Sequence, residues 1–152
     1  MVKLFLSDVD GTLTDGNTYY SEKGEELKRF NHKDGRGVYL LKKAGIKFGI
    51  ITGENSSIVL ARAKKLNADY CFVGIENKIQ VIKKLLDDLK INSNDLAYIG
   101  DDTNDLEAII FAGLSFAPAD SHQEVLDAAH IICKKNGGNG AFREAVDFIL
   151  SK

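Results

Sequence analysis

Two carboxylates stand two residues apart near the start of the chain, directly after the apolar run Val2–Leu6. This run is typical of a buried strand, and Asp8, Asp10 and Gly11 follow it. Two acids this close repel each other when buried unless a divalent cation compensates their charge. One acid could then attack an electrophile while the other carries a proton. The alternative is a plain polar turn, because Asp and Gly are ordinary turn residues.

Three more groups of polar residues stand at the ends of predicted elements further along the chain. Thr52 ends an apolar run and Gly53 follows it, so both can meet an anion ahead of the next helix. A lysine heads an amphipathic helix, and a cluster of acids comes after another apolar run. These residues are Lys78, Asp101, Asp102 and Asp105.

Short apolar runs that alternate with helix-like segments must position these residues. The predicted strands are Val2–Leu6, Ile46–Thr52, Tyr70–Val73, Leu96–Gly100 and Leu114–Ala117. The predicted helices cover Val38–Lys43, Ser56–Leu66, Ile79–Leu89 and Ala141–Leu150. This alternation predicts an α/β fold with a doubly wound parallel sheet, Rossmann-like, and helices on both faces. Ligands bind such sheets at the carboxyl ends of the strands, where Asp8, Thr52 and Asp101 are expected.

One segment, Thr14–Asn31, interrupts the alternation and reads as a β-hairpin inserted after the first strand. It carries three aromatic residues, Tyr19, Tyr20 and Phe30. Exposed aromatics on a hairpin favour a partner surface, whereas the alternative is that they fold back on their own core. The sequence leaves both interpretations open.

The composition is that of an ordinary globular protein. The chain has 152 residues, of which 44% are apolar and 28% charged, with a net charge of −2. We therefore expect a single domain over residues 1–152, and the scattered Lys and Arg argue against a nucleic-acid partner. Cys71 and Cys133 lie in apolar runs and read as reduced thiols of a cytoplasmic protein. We expect no signal peptide, and no apolar run of the sequence is long enough to cross a membrane.

The four polar groups, in this order, resemble the four motifs of the haloacid dehalogenase superfamily of phosphohydrolases. No long insertion follows the first or second motif, so the chain resembles the capless branch, with the hairpin as its only flap. The resemblance implies that Asp8 attacks phosphorus and forms an aspartyl-phosphate, while Asp10 donates and accepts protons. It also implies Mg²⁺ held by Asp8, the Asp10 backbone carbonyl and Asp101.

The other motif residues acquire roles from the same resemblance. Thr52 and Gly53 are expected to hold phosphoryl oxygens, and Lys78 to offset charge on the nucleophile and the transferred group. Asp102 and Asp105 are expected to stand behind the metal ligands and to orient Lys78 or metal-bound water.

Longer stretches narrow the resemblance to the phosphatases of 3-deoxy-2-ulosonic acid phosphates. These stretches are SDVDGTLTDG, KRFNHKDGRGVYLLKKAGI, IITGENS, YIGDDTNDL and GGNGAFRE. The best-known members hydrolyse 3-deoxy-manno-octulosonate 8-phosphate on the route to lipopolysaccharide, and relatives act on nine-carbon, sialic-acid-type 9-phosphates. The resemblance implies a homotetramer in which the hairpin packs between subunits.

Such a substrate carries a carboxylate, for which Arg62 and Arg143 are the basic candidates. Glu54 follows Thr52-Gly53 and is more typical of relatives that use nine-carbon acids, while the eight-carbon 8-phosphate is the default. Two other classes remain as alternatives, a receiver-type signalling module and a non-catalytic oligomerisation domain. An acid cluster after Lys78 disfavours the first, and intact motif residues disfavour the second.

Overall fold

The computed structural model describes all residues 1–152 and is built around a six-stranded parallel sheet. Its strands are β1 (Leu4–Ser7), β4 (Lys47–Ile51), β5 (Tyr70–Phe72), β6 (Leu96–Ile99), β7 (Leu114–Ala117) and β8 (Ile131–Ile132). They are ordered β5-β4-β1-β6-β7-β8, and every neighbouring pair is parallel. The predicted fold class is confirmed, with no cap over the sheet.

Six helices cover the two faces of the sheet. They are α1 (His32–Lys43), α2 (Ser57–Leu66), α3 (Lys78–Leu89), α4 (Leu106–Phe111), α5 (Gln123–Ala128) and α6 (Ala141–Leu150). Side chains alternate between the faces along each strand, so Phe5 packs with α1, α2 and α6, while Leu4 and Leu6 pack with α3, α4 and α5. Because both faces are buried, the strands are almost wholly apolar in sequence.

Strand β1 occupies the middle of the sheet, between β4 and β6. The residues that follow these three strands, Asp8, Thr52 and Asp101, therefore emerge side by side at one edge. This edge is where the chain order of the strands reverses, which is the usual ligand position in open α/β sheets.

The predicted hairpin is present as a separate antiparallel pair, β2 (Thr14–Ser21) and β3 (Gly24–Phe30). Its aromatic residues divide between the two interpretations. Tyr19 and Tyr20 remain exposed, at 54% and 71% of their surface, whereas Phe30 is partly buried against the hydrophobic core. The ring of Phe30 also lies under the Arg62 guanidinium, 5.0 Å from its centroid.

Several short elements were not predicted from the sequence, namely α4, α5 and β8. They have six, six and two residues, too few for either a helical or a strand period to emerge. No helix of the chain is both long and apolar enough to span a membrane. Cys71 and Cys133 are both free thiols.

Candidate active site

The loop after β1 is held against the end of β6 by its backbone. The amide of Asp8 donates to the carbonyl of Ile99 at 3.0 Å, which sets Asp8 beside the loop that carries Asp101. Gly11 has φ of +81°, and a Cβ there would lie 2.0 Å from an Asp101 carboxylate oxygen. Only glycine permits this approach of the two acidic loops.

Lys78 is the centre of a buried ionic cluster. Its ammonium donates to Asp8 Oδ1 and to Asp105 Oδ1, both at 2.7 Å, and its side chain is only 3% exposed. Helix α3 begins at Lys78, and the Asn77 side chain caps it by accepting from the Gln80 amide. The capped helix end therefore fixes the lysine between Asp8 and Asp105.

Asp105 is fully buried and is held by four donors. Besides Lys78, the Tyr98 hydroxyl donates to Oδ1 at 2.5 Å, and the amides of Asp101 and Asp102 donate to Oδ2 at 3.1 and 3.4 Å. Asp105 therefore fixes the geometry of the acidic loop. The role of Tyr98 was missed from the sequence, although a tyrosine in a strand buried on both faces needs a polar partner.

The charges in this cluster do not balance. Carboxylate oxygens of Asp8, Asp101 and Asp105 lie within 4.8 Å of one another, and Lys78 is the only ammonium in contact with them. Burial, followed by the charge of Asp105, raises the pKa of Asp8 well above its usual value and that of Asp101 to about 7. Burial alone would lower the pKa of Lys78, but Asp8 and Asp105 raise it above its ordinary value.

This donor set fits a divalent cation with a preference for oxygen ligands, such as Mg²⁺. The donors around Asp105 already satisfy its two oxygens, so Asp8 and Asp101 are the carboxylates available for a metal ion. Thr12 donates to Asp101 Oδ1 at 3.3 Å and helps to orient it.

The acids open into a small cavity of about 150 Å³ that no hydrophobic residue lines. Its lining consists of Asp8, Asp10, Thr52, Gly53, Glu54, Asp101, Asp102 and Asn104. Thr52 is buried, and its hydroxyl oxygen accepts from the Glu54 amide at 3.2 Å, which shapes the turn after β4. Asp102 caps the turn ahead of α4 by accepting from the Thr103 amide. The structure thus brings most of the predicted site residues to one cavity.

Arg62 and Arg143 do not line this cavity. Arg62 donates to the carbonyl of Asn31 at 3.2 Å, and Arg143 pairs with Asp147 at 2.8 Å on its own helix. Their proposed contact with a substrate carboxylate stays a prediction.

A glycine loop from the C-terminal part of the chain supports the loop of Asp8 and Asp10 from behind. The amide of Gly138 donates to the Thr12 carbonyl at 2.9 Å, and a Cβ on Gly137 would lie 1.8 Å from the Gly11 carbonyl oxygen. The contact spans more than a hundred residues of chain, and no local pattern reveals it.

Comparison with known proteins agrees with this geometry. A family model described as haloacid dehalogenase-like hydrolase matches residues 74–144. The 3-deoxy-D-manno-octulosonate 8-phosphate phosphatase of Yersinia pestis is 39% identical over 149 residues, which cover 98% of this chain and 80% of the relative. The corresponding enzyme of Escherichia coli K12 is 38% identical over 98% of this chain and 79% of the relative.

Solved structures show the same similarity. The phosphatase of this name from Moraxella catarrhalis, in complex with magnesium, phosphate and KDO, matches with a TM-score of 0.96 and 39% identity, covering 99% of this chain and 86% of the other. The cobalt-bound deoxy-D-mannose-octulosonate 8-phosphate phosphatase of Haemophilus influenzae matches with a TM-score of 0.95 and 37% identity, covering 99% and 88%.

Proposed function

This chain belongs to the haloacid dehalogenase-like phosphatases, and we propose that its substrate is 3-deoxy-D-manno-octulosonate 8-phosphate, hydrolysed to the free sugar acid and phosphate. The observation that carries the proposal is the buried Asp8 carboxylate, in contact with Lys78 and facing a cavity that no hydrophobic residue lines. The relatives named for this reaction match almost the whole chain, which supports the substrate. The reaction belongs to lipopolysaccharide synthesis.

The residues of the cavity suit a two-step transfer. Asp8 attacks phosphorus and the ester bond breaks, while Asp10 gives a proton to the leaving oxygen. Water then attacks the aspartyl-phosphate, Asp10 takes the proton from that water, and Asp8 and phosphate are released. Thr52 and the Gly53 amide hold phosphoryl oxygens, and Lys78 offsets their charge.

Asp8, Asp101 and the backbone carbonyl of Asp10 would hold Mg²⁺ in this proposal. When bound, the cation supplies positive charge to phosphoryl oxygens that become more negative during transfer. Asp105 and Asp102 stand behind these ligands, since Asp105 holds Lys78 and Asp102 caps the adjacent turn.

The proposed activity is tested by measuring phosphate release from a panel of sugar-acid phosphates in Mg²⁺. We expect the eight-carbon 8-phosphate to give the highest kcat/KM. Turnover of generic phosphate esters also separates an enzyme from a receiver-type module or a non-catalytic oligomerisation domain. No release from any ester would contradict the proposal.

A nine-carbon keto-deoxy acid 9-phosphate, such as that of KDN or N-acetylneuraminate, is the second candidate, because Glu54 lines the cavity next to Gly53. A carboxylate here can accept hydrogen bonds from sugar hydroxyls but repels a substrate carboxylate that comes close. It therefore suits a longer chain whose acid end lies further from the phosphate.

If Glu54 selects the longer acid, Glu54→Ala lowers kcat/KM for the nine-carbon substrate far more than for the eight-carbon one, by up to about 10⁴-fold. Steady-state kinetics with both substrates measure this ratio. Glu76→Ala, an exposed glutamate outside the cavity, serves as the matched control. If Glu54→Ala lowers kcat/KM equally for both substrates, the eight-carbon 8-phosphate remains the proposed substrate.

We further propose a homotetramer assembled through the hairpin of residues 14–31. Its support is the exposure of Tyr19, Tyr20 and Leu27 on this flap. We expect the double substitution Tyr19→Ser and Tyr20→Ser to lower the mass measured by light scattering, while Tyr39→Ser, an exposed tyrosine on α1, does not. A fully active monomer of the unmodified protein would contradict the proposal.

The remaining proposals concern architecture and location. Residues 1–152 form one phosphatase domain, and the cytoplasm is the expected compartment. The two free thiols support this location, and so does the proposed substrate, a phosphorylated sugar acid used in biosynthesis.

A further inference from the structure

Lys28 is a buried lysine that the motifs did not identify. It lies on β3 of the hairpin, and its side chain is only 2% exposed. Its ammonium contacts three acceptors: Asp10 Oδ1 at 2.7 Å, Glu25 Oε1 at 3.0 Å and Thr18 Oγ1 at 3.1 Å. A lysine has three N–H donors, so this set uses all of them. Such complete pairing indicates a fixed orientation rather than a solvated surface charge.

The lysine is also linked to the start of α2, on the side of the cavity formed by the turn after β4. The hydroxyl of Ser56, the buried N-cap residue of α2, donates to Glu25 Oε2 at 2.5 Å. Ser56 follows the Thr52–Glu54 turn that lines the cavity. A continuous chain of contacts therefore runs from Ser56 through Glu25 and Lys28 to Asp10. It joins the hairpin to the start of α2 and to the loop after β1.

Asp10 presents two different oxygens as a result. Lys28 occupies Oδ1, whereas Oδ2 is buried and has no hydrogen-bond partner within the chain. The side chain as a whole is 28% exposed toward the cavity, so packing alone does not hold it.

We propose that Lys28 is a positioning residue, which fixes the Asp10 carboxyl through Oδ1 while that carboxyl exchanges the proton. This inference rests on the proposed function and deepens it. The proton moves from the Asp10 carboxyl to the leaving oxygen as the ester bond breaks, and one returns to that carboxylate from the attacking water. Misplacing a reacting group by about 1 Å can lower a rate roughly 100-fold. An Asp10 carboxyl without a fixed orientation is therefore expected to transfer its proton more slowly.

The test compares esters whose leaving groups need a proton to different degrees. An alkyl phosphate such as 3-deoxy-D-manno-octulosonate 8-phosphate needs it, whereas p-nitrophenyl phosphate releases a stable anion. In Lys28→Met we expect kcat for the alkyl ester to fall about 100-fold with little change in KM. In the same variant, the rate constant of the pre-steady-state burst of p-nitrophenol, which reports the first transfer step, is expected to change less than about threefold. Lys23→Met, the same substitution at an exposed hairpin lysine, is the matched control.

A merely structural role for Lys28 predicts a different pattern. Lys28→Met would then lower the rates for the alkyl ester and for p-nitrophenyl phosphate by the same factor. Its loss would also add to the loss caused by Asp10→Asn. Positioning through Asp10 predicts instead that Lys28→Met has no further effect on kcat in the Asp10→Asn background. If Lys28→Met fails to fold, Glu25→Gln removes the charge that anchors the lysine and is expected to show a smaller loss with the same dependence on leaving group.

The outcomes separate this inference from the proposed function. Turnover by the unmodified protein together with equal losses for both esters overturns the role of Lys28 alone. If the protein hydrolyses generic esters but not the eight-carbon 8-phosphate, the proposed substrate is wrong. The Lys28 test remains possible in that case, with phenyl and alkyl phosphates as probes. No turnover of any ester overturns both.

Discussion

Asp8→Asn is expected to lower kcat for phosphate release by about 10⁴-fold or more while preserving the fold. The amide has nearly the shape of the carboxylate, but it is not a nucleophile toward phosphorus. It also removes one charge from a buried cluster in which burial already raises the pKa of Asp8. We therefore expect the metal-free variant to be more stable than the unmodified protein at pH 7.5, by about 1 kcal/mol.

Removing the metal ion is expected to have the same effect on activity, but reversibly. EDTA abolishes turnover and added Mg²⁺ restores it. Mg²⁺ at 100 times its Kd stabilises the unmodified protein by about 2.7 kcal/mol, and Asp8→Asn loses most of that stabilisation. Thermal unfolding with and without Mg²⁺ measures it, with Asp88→Asn, an exposed aspartate on α3, as control. Full activity in EDTA or in Asp8→Asn would rule out the mechanism.

The sequence predicted the convergence of the acids because strand order and side-chain period determine it. The apolar runs before Asp8, Thr52 and Asp101 become three adjacent parallel strands, so the residues after them must meet at one edge. The helix start at Lys78 was also readable from its amphipathic spacing. These features are local, or follow from the topology of a parallel sheet.

The contacts that the sequence did not reveal depend on tertiary packing. Lys28 reaches Asp10 only because the hairpin folds back over the first loop, and nothing in its local sequence distinguishes it from the exposed Lys23. Arg62 also depends on packing. It was a candidate for contact with a substrate carboxylate, which stays a prediction, and the structure places its guanidinium over the Phe30 ring with a hydrogen bond to the Asn31 carbonyl. Helix spacing places a residue on a face, but the neighbour it meets depends on the packed fold.

Lys78→Met is expected to destabilise the metal-free protein by about 3–5 kcal/mol at pH 7.5, because it leaves Asp8 and Asp105 buried without their shared ammonium. We expect the same substitution to lower kcat by roughly 10³-fold. The loss depends on pH. Without Lys78 the folded-state pKa of Asp8 rises further above its unfolded value, so the folded variant binds more protons than the unfolded chain. Its stability therefore falls as pH rises above about 4.

Urea unfolding in EDTA at pH 4.5, 6 and 7.5 measures this trend, and Lys84→Met, an exposed lysine on the same helix, controls for the substitution. Relative to the unmodified protein we expect the deficit to grow across the series. Mg²⁺ is expected to recover part of it at pH 7.5, since a divalent cation next to Asp8 replaces some of the missing positive charge. A deficit of the same size at all three pH values would mean that lost packing of the lysine stem, and not unpaired carboxylates, causes the destabilisation.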